Sequence, residues 1–453
     1  MKKFLVNVIF FSYLDVYILM NLIKNIIILF FVSNCIVSSQ EMNYLDFEII
    51  VNDDPYPSNI FIHNLSHISP ITGTMPRYMA IIDSVLNPVW IVNSGHLGLD
   101  LKVQENRLSY FDDENNAWII LNKYMMEIDT LTCANGYYTD FHDMQLLQNG
   151  GYLLQAYDSI SVDLSTIDPD GNTNATVVTL IIQEFDSDKN LIFEWNAWDH
   201  LNIASYNVFD LSADFIMWMH GNSIHIDADS NIIISNRRSS EVMKIGRDNG
   251  QIIWILGGPN NQFTIMNDEY NGFSRQHDVR RLGNGNLLLF DNGNEHVPPI
   301  SRAVEYELDE TDMTASLVWE FSHPEGYLGL AMGSVQRLPN NNTLVNWGRL
   351  EEQVSVITEV DQNNNIVLDL KYTDPVFCYR VSKNEWQFDT NLILGDTNLD
   401  DEVNIIDLNV IADYLIQEES GLDIYHLYRF DINRDRNIDH NDIDILAEII
   451  IGL

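Results

Sequence analysis

The sequence predicts an all-β fold, a six-bladed β-propeller, followed by a small α-helical module, and three observations predict it. Between residues 45 and 390 apolar residues alternate in short runs separated by Gly, Asn and Asp turns, with no helix-period pattern. Along that stretch two kinds of strand pair recur in turn, which is the mark of a repeat architecture. After residue 390 the chain switches to two copies of one acidic unit, each running into an apolar helix.

The first kind of pair is a hairpin ending in Trp or its equivalent: Ala80–Trp90, Ala117–Asp129, Val177–Trp195, Val242–Trp254, Ala303–Trp319 and Val356–Leu370. The second opens on a polar or small stretch: Leu99–Phe111, His142–Leu154, His220–Ile234, His277–Leu289 and Gly333–Val345. Ring closure supplies the sixth, with Cys378–Trp386 expected beside the first hairpin. Four-stranded units with interlocking ends describe a propeller. A β-sandwich or β-helix would not give paired hairpins with Trp endings at this period. The chain therefore divides into a leader (1–40), a β segment leading into the propeller (41–79), the propeller (80–390) and a paired-loop module (395–453).

Within the leader, Met20–Gln40 carries Lys24, an apolar run from Ile26 to Val32 and small polar residues after it, the layout of a secretory signal cleaved near Ser39 or Gln40. Translation from Met20 is an alternative start. A membrane anchor is the competing reading, but Asp15, Lys24 and Asn25 interrupt the roughly 20 apolar residues a span needs. Cys35 follows Asn34, a poor context for lipidation. The expectation is a secreted, periplasmic or cell-surface protein with no transmembrane segment after cleavage. Cys133 and Cys378 then form one disulfide or remain two buried thiols, and the sequence leaves both open.

Sixty-six acidic against twenty-four basic residues give a net charge of -42, which argues against nucleic acid or an anionic membrane as partner. Residues 395–453 hold fifteen acidic and three basic side chains of that total.

His142, His220 and His277 each begin the first strand of their unit, the strand beside the central channel, so their side chains are expected to converge at one end of it. The plain alternative for each is a hydrogen bond in a strand turn. Gly333, followed by Ser334, stands where the next unit would carry its histidine. His296 lies on the loop before the Ser301-Arg302 pair and is a candidate to supply what Gly333 lacks. Arg237 and Arg238 follow the third inner strand and read first as a solvated pair; His200 and His323 read as turn residues.

The phrases WMHGNSI, NGQIIWILGG, FSRQHDVRRLGNGNLLLFDNGN, SRAVEYEL, VWEF and MGSVQRLPNNNTLVNWG together resemble the arylsulfotransferase family, in its branch of six-bladed propellers that use no nucleotide sulfate donor. The resemblance runs from about Ala80 to about Trp386. It implies transfer of a sulfuryl group from a phenolic sulfate donor to a phenol acceptor by way of a sulfated histidine, in the periplasm or outside the cell. On it His220, His277, Arg302 and His142 are the catalytic candidates, and Asn222, Asn292 and His296 the substrate-binding ones. The chemistry suits these residue types: a neutral imidazole carries and releases the group near pH 7, and guanidinium, imidazole and amide donors meet the sulfuryl oxygens and the leaving phenolate. Because the unit at Gly333 has no histidine, a non-catalytic propeller that binds a ligand or a protein stays open beside the enzyme reading.

In the tail, each copy reads D-x-N-x-D-x-x-x-(N/D)-x-x-D. Oxygen side chains at positions 1, 3, 5, 9 and 12 are what a calcium ion takes. The expected Ca2+ ligands are Asp396, Asn398, Asp400, Asn404 and Asp407, then Asp431, Asn433, Asp435, Asp439 and Asp442, with backbone carbonyls from Glu402 and Asn437. The pair resembles a type I dockerin module, which implies a cohesin-like partner; packing within the chain is the alternative. Asp401 and Arg436 depart from the usual Gly at position 6, where a left-handed turn costs a side chain on the order of 1 kcal/mol. A non-binding acidic helical hairpin is the plain reading of the same residues.

Overall fold

The computed structural model describes residues 40–41, 47–66, 77–95, 99–386 apart from 124, 126, 207, 352–353 and 374–375, and then 395–398, 402–416, 430, 432–433 and 437–451. The leader before Gln40 lies outside the described residues. Two compact units make up the chain, residues 44–390 and residues 1–43 with 391–453.

The larger unit is a ring of six blades, each built on four antiparallel strands, with a fifth strand added to three of them. From the channel outward, blade 2 runs Leu99–Gln104, Arg107–Asp112, Ala117–Leu121, Glu127–Leu131; blade 3 runs Thr139–Leu146, Tyr152–Val162, Ala175–Phe185, Leu191–Asn196. Blade 4 runs Gly221–Ile226, Ile232–Asn236, Glu241–Ile245, Ile252–Leu256; blade 5 runs His277–Arg281, Leu287–Asp291, Arg302–Asp309, Thr314–Phe321. Blade 6 runs Ser334–Arg337, Thr343–Asn346, Val356–Val360, Ile366–Tyr372.

Blade 1 closes the ring. Its inner strand, Ser382–Asn384, comes from the far end of the chain and pairs with Asn59–His63, which pairs with Arg77–Ile82 and so with Pro88–Gly95. Cys378–Trp386 thus lies one strand away from the first hairpin rather than beside it, because residues placed by sequence in a lead-in segment supply the strand between. Phe47–Asn52 also belongs to the ring, as an added outer strand on Ile366–Tyr372 of blade 6. The closure is fastened by a buried ion pair. Lys383 Nζ lies 2.6 Å from Glu359 Oε2 and donates to the Tyr56 carbonyl, while the Tyr56 amide donates to Glu359 Oε1.

Turn chemistry explains the outer hairpins. In Asp83–Asn87, Asp186–Asn190 and Asp361–Asn365 the aspartate Oδ1 accepts the amide of the residue four later, each at 2.8 Å. The residue before that asparagine is left-handed in all three, with φ of 67° at Leu86, 64° at Lys189 and 62° at Asn364. Tryptophans at the hairpin ends hold one blade to the next: Trp195 Nε1 donates to Gly250 O at 3.0 Å, and Trp319 Nε1 to Asn364 Oδ1 at 2.9 Å. Gly250 has φ +70° and a Cβ there would sit 2.9 Å from the His200 ring, which stacks on Trp195, so His200 is packing.

Between blades the faces are apolar. Leu153, Leu180, Ile182 and Trp195 of blade 3 pack on Ile224, Ile232, Ile234 and Met243 of blade 4, and each such side chain contributes roughly 1.5–3 kcal/mol by leaving water. Cys133, half-buried, and Cys378, buried, are free thiols in different parts of the ring, each pushed up to about 12 by desolvation, so no disulfide joins them.

In the smaller unit, helices Ile405–Ile416 and His440–Ile451 pack through Leu408, Ile411, Ala412, Ile443 and Leu446. The two loops match in detail. Asp407 accepts the amides of Thr397, Asn398 and Asn404, and Asp442 those of Ile432, Asn433 and Asp439. Asp400, Asp401, Asp431, Asp435 and Arg436 lie outside the described residues.

Candidate active site at the head of the channel

A repeated hydrogen bond between neighbouring inner strands fixes which residues share a level of the channel. Asp143 accepts the amide of Ile224, Ser223 that of Val279, Asp278 that of Val335, and Ser334 that of Val381. The level above these therefore holds His142, Asn222, His277, Gly333 and Tyr379. His220, placed by sequence at the same repeat position as His142 and His277, sits two residues earlier; Asn222 is their true counterpart. The strand is bulged between Gly221 and Ser223, which turns the local pattern and misleads a register read from histidines alone.

The histidines nevertheless meet. His142 and His220 lie edge to face with ring centroids 4.6 Å apart, and Tyr379 stands 5.6 Å from His142 and 6.4 Å from His277. Phe141 stacks on His142 at 4.0 Å and Tyr157 lies parallel to His220 at 6.2 Å. Three imidazoles and three aromatic rings thus share one end of the channel.

His277 is buried and its Nδ1 lies 2.6 Å from Asn292 Oδ1. The amide cannot be the other way round, because Asn292 Nδ2 donates to the carbonyls of Gly329 and Met332 at 2.9 and 3.0 Å. Nδ1 of His277 therefore carries the proton and Nε2 keeps its lone pair. Burial, and then the nearby Arg237 charge, push His277 down to about 3 despite the asparagine bond, so the ring is neutral at pH 7. His220 is held well below its ordinary value by burial, then by His142, His277, Arg237 and Arg238. His142 differs: its Nδ1 lies 2.7 Å from Asp140 Oδ1, which also accepts Gln155 Nε2 at 2.7 Å. A carboxylate-backed imidazole suits proton transfer, and a neutral imidazole with a free lone pair suits attack.

Gly333 has φ +106°, and a Cβ there would fall 2.4 Å from two ring atoms of Phe290. No side chain fits, so the backbone itself excludes a sixth-blade histidine. Tyr379 of the following strand occupies the level instead; burial raises its hydroxyl well above the ordinary value, and it donates to Asn222 O at 3.2 Å.

Beneath this level lies an ionic plug. Arg380 contacts Asp278 at 2.9 Å and Asp100 at 2.5 Å, with Asp143 at 3.6 Å. Lys102 bridges Asp100 and Asp143 at 2.6 and 2.5 Å, and Arg280 bridges Asp143 and Asp278 at 2.9 and 2.7 Å. Burial opposes the Arg380 charge, but Asp100, Asp143 and Asp278 raise its pKa well above the usual value. Below the plug a cavity of about 340 Å³ is lined by His225, Gln145, Gln336 and the stems of these ions.

Several candidates sit elsewhere. Arg302 is buried with its guanidinium on Asp268 (2.8 and 3.0 Å), Asp291 (2.9 Å), Glu320 (2.9 Å) and Gly272 O (2.7 Å). Its donors are spent on those partners, one residue behind Asn292, so it braces the loop. His296 is bound to the same Asp291 at 2.7 Å and stacked on Tyr270, away from the gap at Gly333. Asn222 Nδ2 donates to Gln276 O at 2.6 Å while its buried Oδ1 has no partner in the described structure. Asp140, Phe141, Tyr157, Tyr379 and Arg380 are not singled out by sequence; for Tyr379 and Arg380 the signal is the YR pair, which stands in blade 1 where HD stands in blades 3 and 5.

Residues 53–380 match the arylsulfotransferase (ASST) family. The chain belongs to that family. The arylsulfate sulfotransferase AssT of Escherichia coli O6:H1 is 32% identical over a stretch covering 24% of each chain. AssT of Lelliottia amnigena is 28% identical over the same shares. This arylsulfotransferase chain thus spans about a quarter of the length of the curated relatives it matches. A Bacteroides caccae protein of unknown function is similar in structure, 12% identical, with a TM-score of 0.45 over 72% of this chain and 99% of its own. No helix among the described residues is long and apolar enough to cross a membrane.

Proposed function

We propose that the chain is an exported arylsulfate sulfotransferase, independent of nucleotide donors, that works through His277. The Asn292 clamp carries this reading, because it leaves a neutral imidazole with its Nε2 lone pair free among aromatic rings. Nε2 attacks the sulfur of a phenolic sulfate ester, and the bond from sulfur to the aryl oxygen breaks. The phenolate leaves with that electron pair and takes a proton from His142, whose charge Asp140 supports. Asn292 holds the Nδ1 proton of the sulfated ring. A phenol acceptor then returns a proton to His142 as its oxygen attacks sulfur and the nitrogen–sulfur bond breaks. Phe141, Tyr157 and Tyr379 flank the two aryl groups. The test is nitrophenolate release from 4-nitrophenyl sulfate with phenol present. Release that depends on phenol supports transfer; binding of the ester without release would leave a binding propeller.

For the tail, the reading is a pair of Ca2+ loops that attach the propeller to a cohesin-like partner or fold against the chain. Hard oxygen donors at Asp396, Asn398, Asn404 and Asp407, and at Asn433, Asp439 and Asp442, fit that ion. Removing calcium with EDTA is expected to lower the helical circular dichroism signal, with recovery on adding calcium but not magnesium. An unchanged spectrum contradicts the ligand assignment.

A further inference from the structure

At the foot of the channel, below the ionic plug, each inner strand brings one polar side chain to the same level: Gln104, Gln145, His225, Arg280, Gln336 and Ser382. Bonds between neighbouring blades fix that level as they do at the head. Gln104 Oε1 accepts the Leu146 amide, Gln145 Oε1 that of Ile226 and Gln336 Oε1 that of Lys383, at 3.0, 2.8 and 2.7 Å. His225 holds the corresponding place in blade 4 and breaks the pattern. Among the described residues neither of its ring nitrogens has a hydrogen-bond partner. Gln145 Nε2, which lines the same cavity, also donates to nothing there.

These groups face the cavity of about 340 Å³, within the range of roughly 300–1,000 Å³ that small-ligand pockets occupy. The charge its wall presents is one-sided. Arg280 and Arg337 keep 25% and 19% of their side chains exposed, against 1% for Asp143 and 5% for Asp278, whose carboxylates are taken up in the plug. Arg337 also pairs at 2.6 Å with Glu305, which is not part of the wall. The cavity thus shows guanidinium edges, an amide donor and an imidazole, in a chain whose net charge is -42. Removal from water, and then the Arg280 charge, push His225 down to about 4, so at pH 7 the ring is neutral with one N–H to donate. Idle donors beside a partly uncovered guanidinium, shielded from bulk water, are what an oxyanion binds to.

We propose that the foot of the channel is a second binding site, for a small oxyanion, held by His225, Gln145 Nε2 and the uncovered edge of Arg280. None of His142, His220, His277 and Tyr379 lines it, because the plug lies between, so the assignment stands whether or not the head transfers sulfuryl groups. A small organic carboxylate and inorganic sulfate offer the same chemistry to these donors, and the cavity has room for either.

The test is calorimetric titration of the full chain with sodium sulfate and, separately, with sodium malonate at constant ionic strength. At least one of the two is expected to bind, and His225→Leu to weaken that binding by about tenfold or more. His225→Gln is expected to bind within about threefold of the unsubstituted chain, since it keeps an N–H donor and is the residue that blades 2, 3 and 6 carry at this level. Malonate bound without sulfate identifies an organic carboxylate as the ligand, and sulfate bound without malonate a free inorganic anion. Anion bound at the head persists in every variant and is told apart by that. If His225→Leu weakens no binding event of the unsubstituted chain, or if neither anion binds, the assignment is overturned. Should His225→Leu not fold, Gln145→Glu decides. It keeps an oxygen for the Ile226 amide but sets a carboxylate where the idle donor was, so undiminished binding in that variant overturns the assignment as well.

Discussion

His277→Ala is expected to abolish sulfuryl transfer, lowering kcat/KM by on the order of 10⁴-fold or more while the chain stays folded. The expectation follows from the Asn292 clamp, which gives one ring nitrogen a fixed proton and the other a fixed lone pair. Stability should fall by about 1–3 kcal/mol, because the buried Asn292 Oδ1 loses its donor and the ring leaves a gap. The pH dependence carries the same signature. With His277 pushed down to about 3, its protonation does not limit the rate near pH 6.5, where an ordinary histidine would; any loss of rate from that group belongs below about pH 4. The sign for folding follows: the unfolded chain takes up a proton near 6.5 that the folded chain refuses. His277 thus favours the folded state least as pH falls from 6.5 towards 3. Steady-state rates from pH 4 to 8, for wild type and His277→Ala, check both points. Activity within tenfold of wild type in the variant would remove the nucleophile assignment.

The second large effect is on stability. Arg380→Ala removes the cation shared by Asp100, Asp143 and Asp278 and leaves buried carboxylates with fewer partners, a change that costs about 3–5 kcal/mol. Thermal unfolding should move down by roughly 4–7 °C in a unit of this size. Lys102 and Arg280 remain to hold part of the plug, so the ring is expected to close all the same. Combining Arg380→Ala with Asp100→Asn and Asp278→Asn should recover a large part of the loss, since the uncompensated charges go too. A variant as stable as wild type would show that the plug is not what closes the channel.

The blades were readable because each outer hairpin is written in local chemistry: an aspartate four residues before an asparagine, a left-handed residue between, and an indole reaching the next blade. Residues 47–63 were harder, since Asn59–His63 and Phe47–Asn52 pair with strands more than 300 positions away and carry no local sign of it. At the site, His142 and His277 stood out by their shared HD, and the second letter of that pair is what bonds to the neighbouring blade. His220 drew attention for the wrong reason: it is two residues out of register and reaches His142 because the strand bulges at Asn222. The pairing of Arg302 with Asp268 and Asp291 is not legible in the sequence, because it depends on a loop, Asp268 to Gly272, that no motif ties to it. Gly333 shows the reverse. The missing histidine is explained by a neighbouring phenylalanine ring against the glycine, a contact between blades that sequence does not display.

A sulfated His277 is a covalent species that mass spectrometry detects directly. Wild-type protein mixed with 4-nitrophenyl sulfate in the absence of phenol, quenched and digested, is expected to carry one added SO₃ group on the peptide containing His277, lost again when phenol is supplied. A chain with no added mass, or with the group on His142, His220 or Tyr379 instead, would rule out transfer through His277.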